Sequence, residues 1–134
     1  MNAVDTNVLI YAHDGRDADK QAKSVSLLSS LPDAVLLWQV ACEYLAASKK
    51  LEPLGFDPSQ AWQDVEDLGR IWTVIMPEWS TLDTAHRPVK RFSLSFWDAM
   101  IVATCLENGI DKLYSEDMGS PATIDGLTLV NPFA

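Results

Sequence analysis

Hydrophobic positions along this chain follow two rhythms. Short unbroken apolar runs alternate with longer stretches where apolar residues recur every third or fourth position. The first rhythm predicts buried strands, the second amphipathic helices. Residues 2–5 read as a strand, and Thr6-Asn7-Val8-Leu9-Ile10-Tyr11 opens a helix near 6–12. Asp14-Gly15-Arg16-Asp17 reads as a loop, and 18–30 as a helix with Ala22, Val25 and Leu28 on one face. After the Pro32-Asp33 turn, Ala34-Val35-Leu36-Leu37 predicts a fully buried strand. A helix follows over 39–50, with Val40, Tyr44 and Ala47 at helical spacing. Pro53, Gly55 and Pro58 mark a loop, and Ser59 suits the cap of a helix over 60–69 that ends near Gly69. Ile71-Trp72-Thr73-Val74-Ile75 is the next strand. Residues 80–91 are weakly helical, and Pro88 is expected to break or kink them. A strong helix runs from Trp97 to Asn108, with Gly109 as its stop. Strands at 112–114 and 127–130 flank the turn-rich segment 115–126.

Strands alternate with helices, and the strands are short and apolar. The pattern predicts an α/β fold: a central, mainly parallel β-sheet with helices on both faces (α/β/α). The 134 residues suit a single domain spanning 1–134. Apolar content of 48% and charged content of 22% fit a globular chain and exclude a disordered one. No apolar run approaches the roughly 18 residues of a membrane span. The chain opens directly on a strand and an acid, so a secretory leader is not expected and a cytoplasmic location is. Cys42 and Cys105 are far apart beside apolar residues and read as reduced core residues. With no CxxC pair, a zinc site has little support.

Right-handed crossovers place the carboxyl ends of parallel strands on one edge, where such folds bind ligands. Asp5 and Asp117 each follow a short strand-like run, and Glu43 and Asp98 lie in the first turns of helices. The four acids can therefore converge. Each has a plainer reading. Asp5 suits a helix cap, Asp98 completes the Ser95-Phe96-Trp97-Asp98 capping box, and Asp117 suits a turn. Glu43 could face water, and Glu116 reads as a solvated charge. If the acids do converge, their mutual repulsion calls for a divalent cation.

The net charge of −9 argues against a protein that coats nucleic acid electrostatically. It leaves room for an enzyme that meets phosphates through bound cations. Lys49 and Lys50, and Arg87, Lys90 and Arg91, read as solvated helix faces or as a phosphate track beside the acids. His13 and His86 read as surface or structural residues. Trp38, Trp72 and Trp97 are expected in the core, while Trp62 and Trp79 could serve a partner surface. Neither a GxSxG elbow nor a glycine-rich phosphate loop occurs.

Four segments together carry a family resemblance. They are Val4-Asp5-Thr6-Asn7-Val8-Leu9-Ile10-Tyr11, Gln39-Val40-Ala41-Cys42-Glu43-Tyr44-Leu45, Leu94-Ser95-Phe96-Trp97-Asp98-Ala99-Met100-Ile101 and Leu113-Tyr114-Ser115-Glu116-Asp117. The chain resembles the PIN domain ribonucleases, and among them the toxins of VapBC-type toxin–antitoxin pairs. The resemblance implies a Mg²⁺- or Mn²⁺-dependent endoribonuclease. It places the acidic quartet on Asp5, Glu43, Asp98 and Asp117, with Asp5, Asp98 and Asp117 as metal ligands. Supporting hydroxyls fall on Thr6 and Ser115, and Asn7 belongs to the same motif. Implied partners are an RNA substrate, a small antitoxin that places a basic side chain in the acidic pocket, and a second copy of the chain. Thr84-Ala85-His86-Arg87-Pro88-Val89-Lys90-Arg91-Phe92 departs from the unbroken helix common in relatives. Two other readings compete: a non-catalytic interaction module whose acids are caps, and a haloacid dehalogenase-type phosphotransferase. The second needs another acid two residues after Asp5, where this chain has Asn7.

Overall fold

A computed structural model describes residues 1–118 and 122–134. Its centre is a six-stranded sheet in the order β3-β2-β1-β4-β6-β5. The strands are β1 (Asn2–Val4), β2 (Ala34–Leu37), β3 (Thr73–Ile75), β4 (Lys112–Tyr114), β5 (Thr123–Ile124) and β6 (Leu127–Val130). Strands β1 to β4 and β6 are parallel, and only β5 runs antiparallel, on β6. The chain winds outward from β1 through β2 to β3, then crosses back to β4 on the other side of β1. Strand order therefore reverses between β1 and β4, whose registered pairs include Val4 with Tyr114. Such a reversal opens a crevice beyond the carboxyl ends of the two strands.

The helices are α1 (Thr6–Tyr11), α2 (Ala18–Ser30), α3 (Trp38–Ala47), α4 (Pro58–Ile71), α5 (Thr81–Phe92) and α6 (Phe96–Glu107). Helices α1 to α4 pack on one another and α5 packs on α6. Right-handed crossovers on either side of β1 put these two groups on opposite faces of the sheet. The core joins Val4, Val35, Leu37, Val40, Ile101, Val102, Leu113, Ile124 and Leu127. Helix α6 is buried without a break from Ala99 to Cys105, so it shows no polar face to guide its placement. It ends in a Schellman turn: Gly109 has φ +65°, and the Ile110 amide bonds the Cys105 carbonyl at 3.1 Å.

Several boundaries differ from expectation for physical reasons. Helix α3 gives way after Ala47 to a 3₁₀ segment over Ser48–Leu54 that contains Pro53, whose ring would clash with the preceding turn of a continued α-helix. The cap of α4 is Asp57, not Ser59; its carboxylate accepts from the Ser59 amide at 2.9 Å. Pro58 occupies the first helical position, where no N–H is needed. The helix passes through Gly69 to Ile71, which shortens the following strand to Thr73–Ile75. Strand β3 is an edge, with Thr73 and Val74 exposed, so it is not buried on both sides.

Helix α5 runs unbroken through Pro88. Thr81, Ala85 and Pro88 are buried at helical spacing, so the ring lies on the apolar stripe facing α6. That packing offsets the missing hydrogen bond. Within 115–126, β5 replaces part of the expected turn. Asp125 and Gly126 both have positive φ, 48° and 92°, as a type I′ hairpin demands. Residues 119–121 of that segment lie outside the described residues.

Candidate functional site

Asp5 follows β1 and Ser115 follows β4, so the crevice receives both. Helix α3 delivers Glu43 and α6 delivers Asp98. All four acids, Asp5, Glu43, Asp98 and Asp117, line one open pocket of about 470 Å³. Thr6 and Asn7 line it too, and Lys50 is its one basic residue.

Local turn chemistry aims these side chains. The Asp5 carboxylate accepts from the Thr6 amide at 2.7 Å, so the acid does cap α1. Its other oxygen accepts from the Ser115 hydroxyl, also at 2.7 Å. Ser115 accepts in turn from the Asp117 amide at 3.1 Å, and Asn7 donates to the Asp117 carboxylate at 3.1 Å. The Thr6 hydroxyl donates to Glu43 at 2.6 Å. Ser95 caps α6 by accepting from the Asp98 amide at 3.2 Å. That bond uses the backbone of Asp98 and leaves its carboxylate facing the pocket. Capping and pocket-lining are thus compatible roles, because they use different atoms of each residue.

The electrostatics are those of crowded anions. Asp5 is 4% exposed. Burial pushes its carboxyl up to about 6, against the pull of the Ser115 and Thr6 donors, and the Asp98 and Glu43 charges add to the rise. Burial also raises Asp98, with Asp117 and Glu43 repelling its charge and the Ser95 hydroxyl opposing the shift. Hard carboxylate oxygens in this density suit Mg²⁺ or Mn²⁺. Among the described residues no three acids already stand at the spacing of a common ion's ligands. Oxygens of Glu43, Asp117 and Asp5 are instead held by Thr6, Asn7 and Ser115 respectively. Mg²⁺ keeps several of its waters, so it needs only one or two direct carboxylates. The donor set fits that ion.

Other residues differ from expectation. Cys42 and Cys105 are both free thiols, but Cys42 is exposed beside Glu43 instead of in the core. Trp38 and Trp97 are 47% and 61% exposed, so neither is a core residue, whereas Trp72 is half-buried and packs against the core. Trp62 and Trp79 are exposed as well. Glu116 is not freely solvated: it pairs with Lys20 and accepts from the Tyr11 hydroxyl at 2.7 Å. This ties the loop after β4 to α1 and α2. His13 lies 3.2 Å from Asp64 and packs on Phe56 at 4.7 Å, a structural setting. His86 is exposed on α5, where Arg87 is engaged by Asp125 at 2.5 Å.

Gln39 was not among the expected site residues. Its amide donates to Glu43 at 3.2 Å and to the Trp97 carbonyl at 2.9 Å, joining α3 to the start of α6. The available signal was its position one helical turn before Glu43.

The PIN domain family model matches residues 3–120, a span that holds all four acids. The chain belongs to the PIN domain family. No curated protein is recognisably similar to this PIN domain protein in sequence. Solved structures share its fold at low identity. A toxin–antitoxin complex from Klebsiella pneumoniae is 18% identical at a TM-score of 0.68, covering 98% of each chain. VapC20 of Mycobacterium tuberculosis, described as a toxin that cleaves the sarcin–ricin loop, is 19% identical at 0.68. That match covers 93% of this chain and 98% of the toxin. FitAcB from Neisseria gonorrhoeae is 18% identical at 0.67, covering 99% of each chain.

Proposed function

We propose that this PIN domain protein is a Mg²⁺- or Mn²⁺-dependent endoribonuclease, the toxin of a toxin–antitoxin pair. The observation that carries the reading is the convergence of Asp5, Glu43, Asp98 and Asp117 on one pocket with a single lysine at its wall. A structural role needs caps, and caps do not need to share a cavity.

In this reading Asp5, Asp98 and Asp117 hold the ion directly or through water. When bound, the ion supplies countercharge to a scissile phosphate and lowers the pKa of an attacking water. Glu43, fixed by Thr6 and Gln39, orients that water. Ser115 and Thr6 keep the carboxylates from turning away. Attack by water leaves a 5′-phosphate and a 3′-hydroxyl. Lys50 faces the substrate's phosphate from the pocket wall.

The fold shared with a chain of a toxin–antitoxin complex supports a small antitoxin as partner. A chain with net charge −9 suits a basic segment placed in the acidic pocket. A homodimer of a single-domain protein spanning 1–134, working in the cytoplasm, completes the proposal. Among the described residues no helix is long and apolar enough to cross a membrane.

The test is incubation of the purified protein with total RNA, with Mg²⁺ or Mn²⁺ against chelator. We expect metal-dependent cleavage with 5′-phosphate ends, lost in Asp5→Asn. Cleavage that persists in chelator, or in Asp5→Asn, would sink the reading.

A further inference from the structure

The acidic pocket faces an electrostatic problem. Its substrate, on the reading above, is a polyanion, yet the chain carries net charge −9 and only Lys50 lines the wall. Affinity from phosphate contacts needs several lysines or arginines. Attraction that does not depend on charge must supply the rest. Base stacking on aromatic rings is such an attraction.

Two exposed rings directly precede one of the pocket's acids in the chain. Phe96 and Trp97 open α6 and immediately precede Asp98. They are 48% and 61% exposed, against the usual fate of large aromatics. They pack edge to face, with centroids 4.9 Å apart, which restricts the indole's rotamers. The Trp97 carbonyl is held by Gln39, and the same amide holds Glu43. Side chains one residue apart on a helix point about 100° apart. Asp98 lines the pocket, and the indole leaves the same turn of α6 on the neighbouring bearing, just outside that lining. Trp38, 47% exposed, opens the abutting helix one residue before Gln39.

We propose that Trp97, braced by Phe96, is a stacking platform for an unpaired nucleobase next to the scissile phosphate. The substrate class is then single-stranded RNA, because a duplex keeps its bases stacked inside. This rests on the nuclease reading but is tested separately. The indole binds substrate and takes no part in proton transfer.

The experiment is fluorescence anisotropy of a short, unstructured, fluorescein-labelled oligoribonucleotide, with Ca²⁺ replacing Mg²⁺ to suppress turnover. The duplex of the same sequence is the second probe. Trp97→Ala should weaken single-strand binding about 5- to 150-fold, the usual cost of losing one stacked base. Trp97→Phe, which keeps an aromatic face, should retain most of the affinity. The duplex should bind worse than the single strand, with no loss in Trp97→Ala. Because Trp97 is exposed, both variants should keep the wild-type circular dichroism spectrum. Unchanged single-strand affinity in Trp97→Ala overturns the platform, whether or not the protein cleaves RNA. So does unchanged affinity accompanied by a dimer falling to monomers in sedimentation, which would make the rings a contact between copies. Trp97-dependent binding without metal-dependent cleavage would overturn the nuclease reading and leave the platform standing. A wild type that neither binds nor cleaves overturns both.

Discussion

Asp5 should make the metal-free protein more stable as pH falls from 7 to 4, and Asp98, also raised by burial, acts with the same sign. The Asp5 carboxyl ionises near 3.8 in an unfolded chain and at about 6 in the fold, where burial outweighs the Ser115 and Thr6 donors. A carboxyl raised by folding binds its proton more tightly in the native state. Its contribution is fully present below the unfolded pKa and is lost as pH rises through the folded one. Integrating between pH 7 and pH 4 gives a gain of about 2.5 kcal/mol. The exposed carboxylates Asp57 and Asp111 are held below their ordinary range and pull the other way. A difference measurement removes them. Urea unfolding of wild type and Asp5→Asn, in chelator, should be followed at several pH values. The wild type should gain stability relative to the variant by about 2.5 kcal/mol over that range. With saturating Mg²⁺ the gain should vanish, because the ion favours the ionised form. A difference that stays flat to within about 0.5 kcal/mol, or changes sign, would refute the burial argument.

Other consequences follow from the same geometry. Adding Mg²⁺ or Mn²⁺ at about 100 times its Kd should stabilise the wild type by roughly 2.7 kcal/mol, and Asp98→Asn clearly less; thermal melts against chelator read this directly. Thr6→Val removes the hydroxyl that bonds Glu43. It should cost about 1 kcal/mol of stability in urea unfolding and lower kcat more than it alters KM. Ala103 is fully buried where α5 meets α6. Ala103→Leu should therefore destabilise by about 1–3 kcal/mol in thermal or urea unfolding without changing metal affinity, measured by calorimetry.

Much of this architecture was legible because local signals agreed. Residues 18–30 and 34–37 coincide with α2 and β2, since a capped amphipathic helix and an apolar strand leave little alternative. The convergence of the acids followed from strand–Asp order together with the handedness of crossovers. What escaped the reading depends on tertiary context. Pro88 was expected to break a helix, and only its burial against α6 shows why it does not. Strand β5 did have a local signal, Asp125-Gly126 between Thr-Ile and Leu-Thr-Leu-Val, but two residues are too short a strand to show periodicity. Trp38 and Trp97 looked like core residues because apolar neighbours surround them in sequence. Their exposure follows from their place in the opening turns of α3 and α6, where nothing packs over them. The bonds of Gln39 to Trp97 and of Glu116 to Lys20 span 58 and 96 positions. No pattern within one segment announces them.

The central claim is that the carboxylate pocket is built to hold a divalent ion. Crystals soaked in Mn²⁺ and measured for anomalous scattering test it most directly. We predict an anomalous peak bounded by Asp5, Asp98 and Asp117 and absent from Asp98→Asn crystals. A pocket that stays empty in Mn²⁺, while the protein still cleaves RNA in a metal-dependent way, would contradict the account.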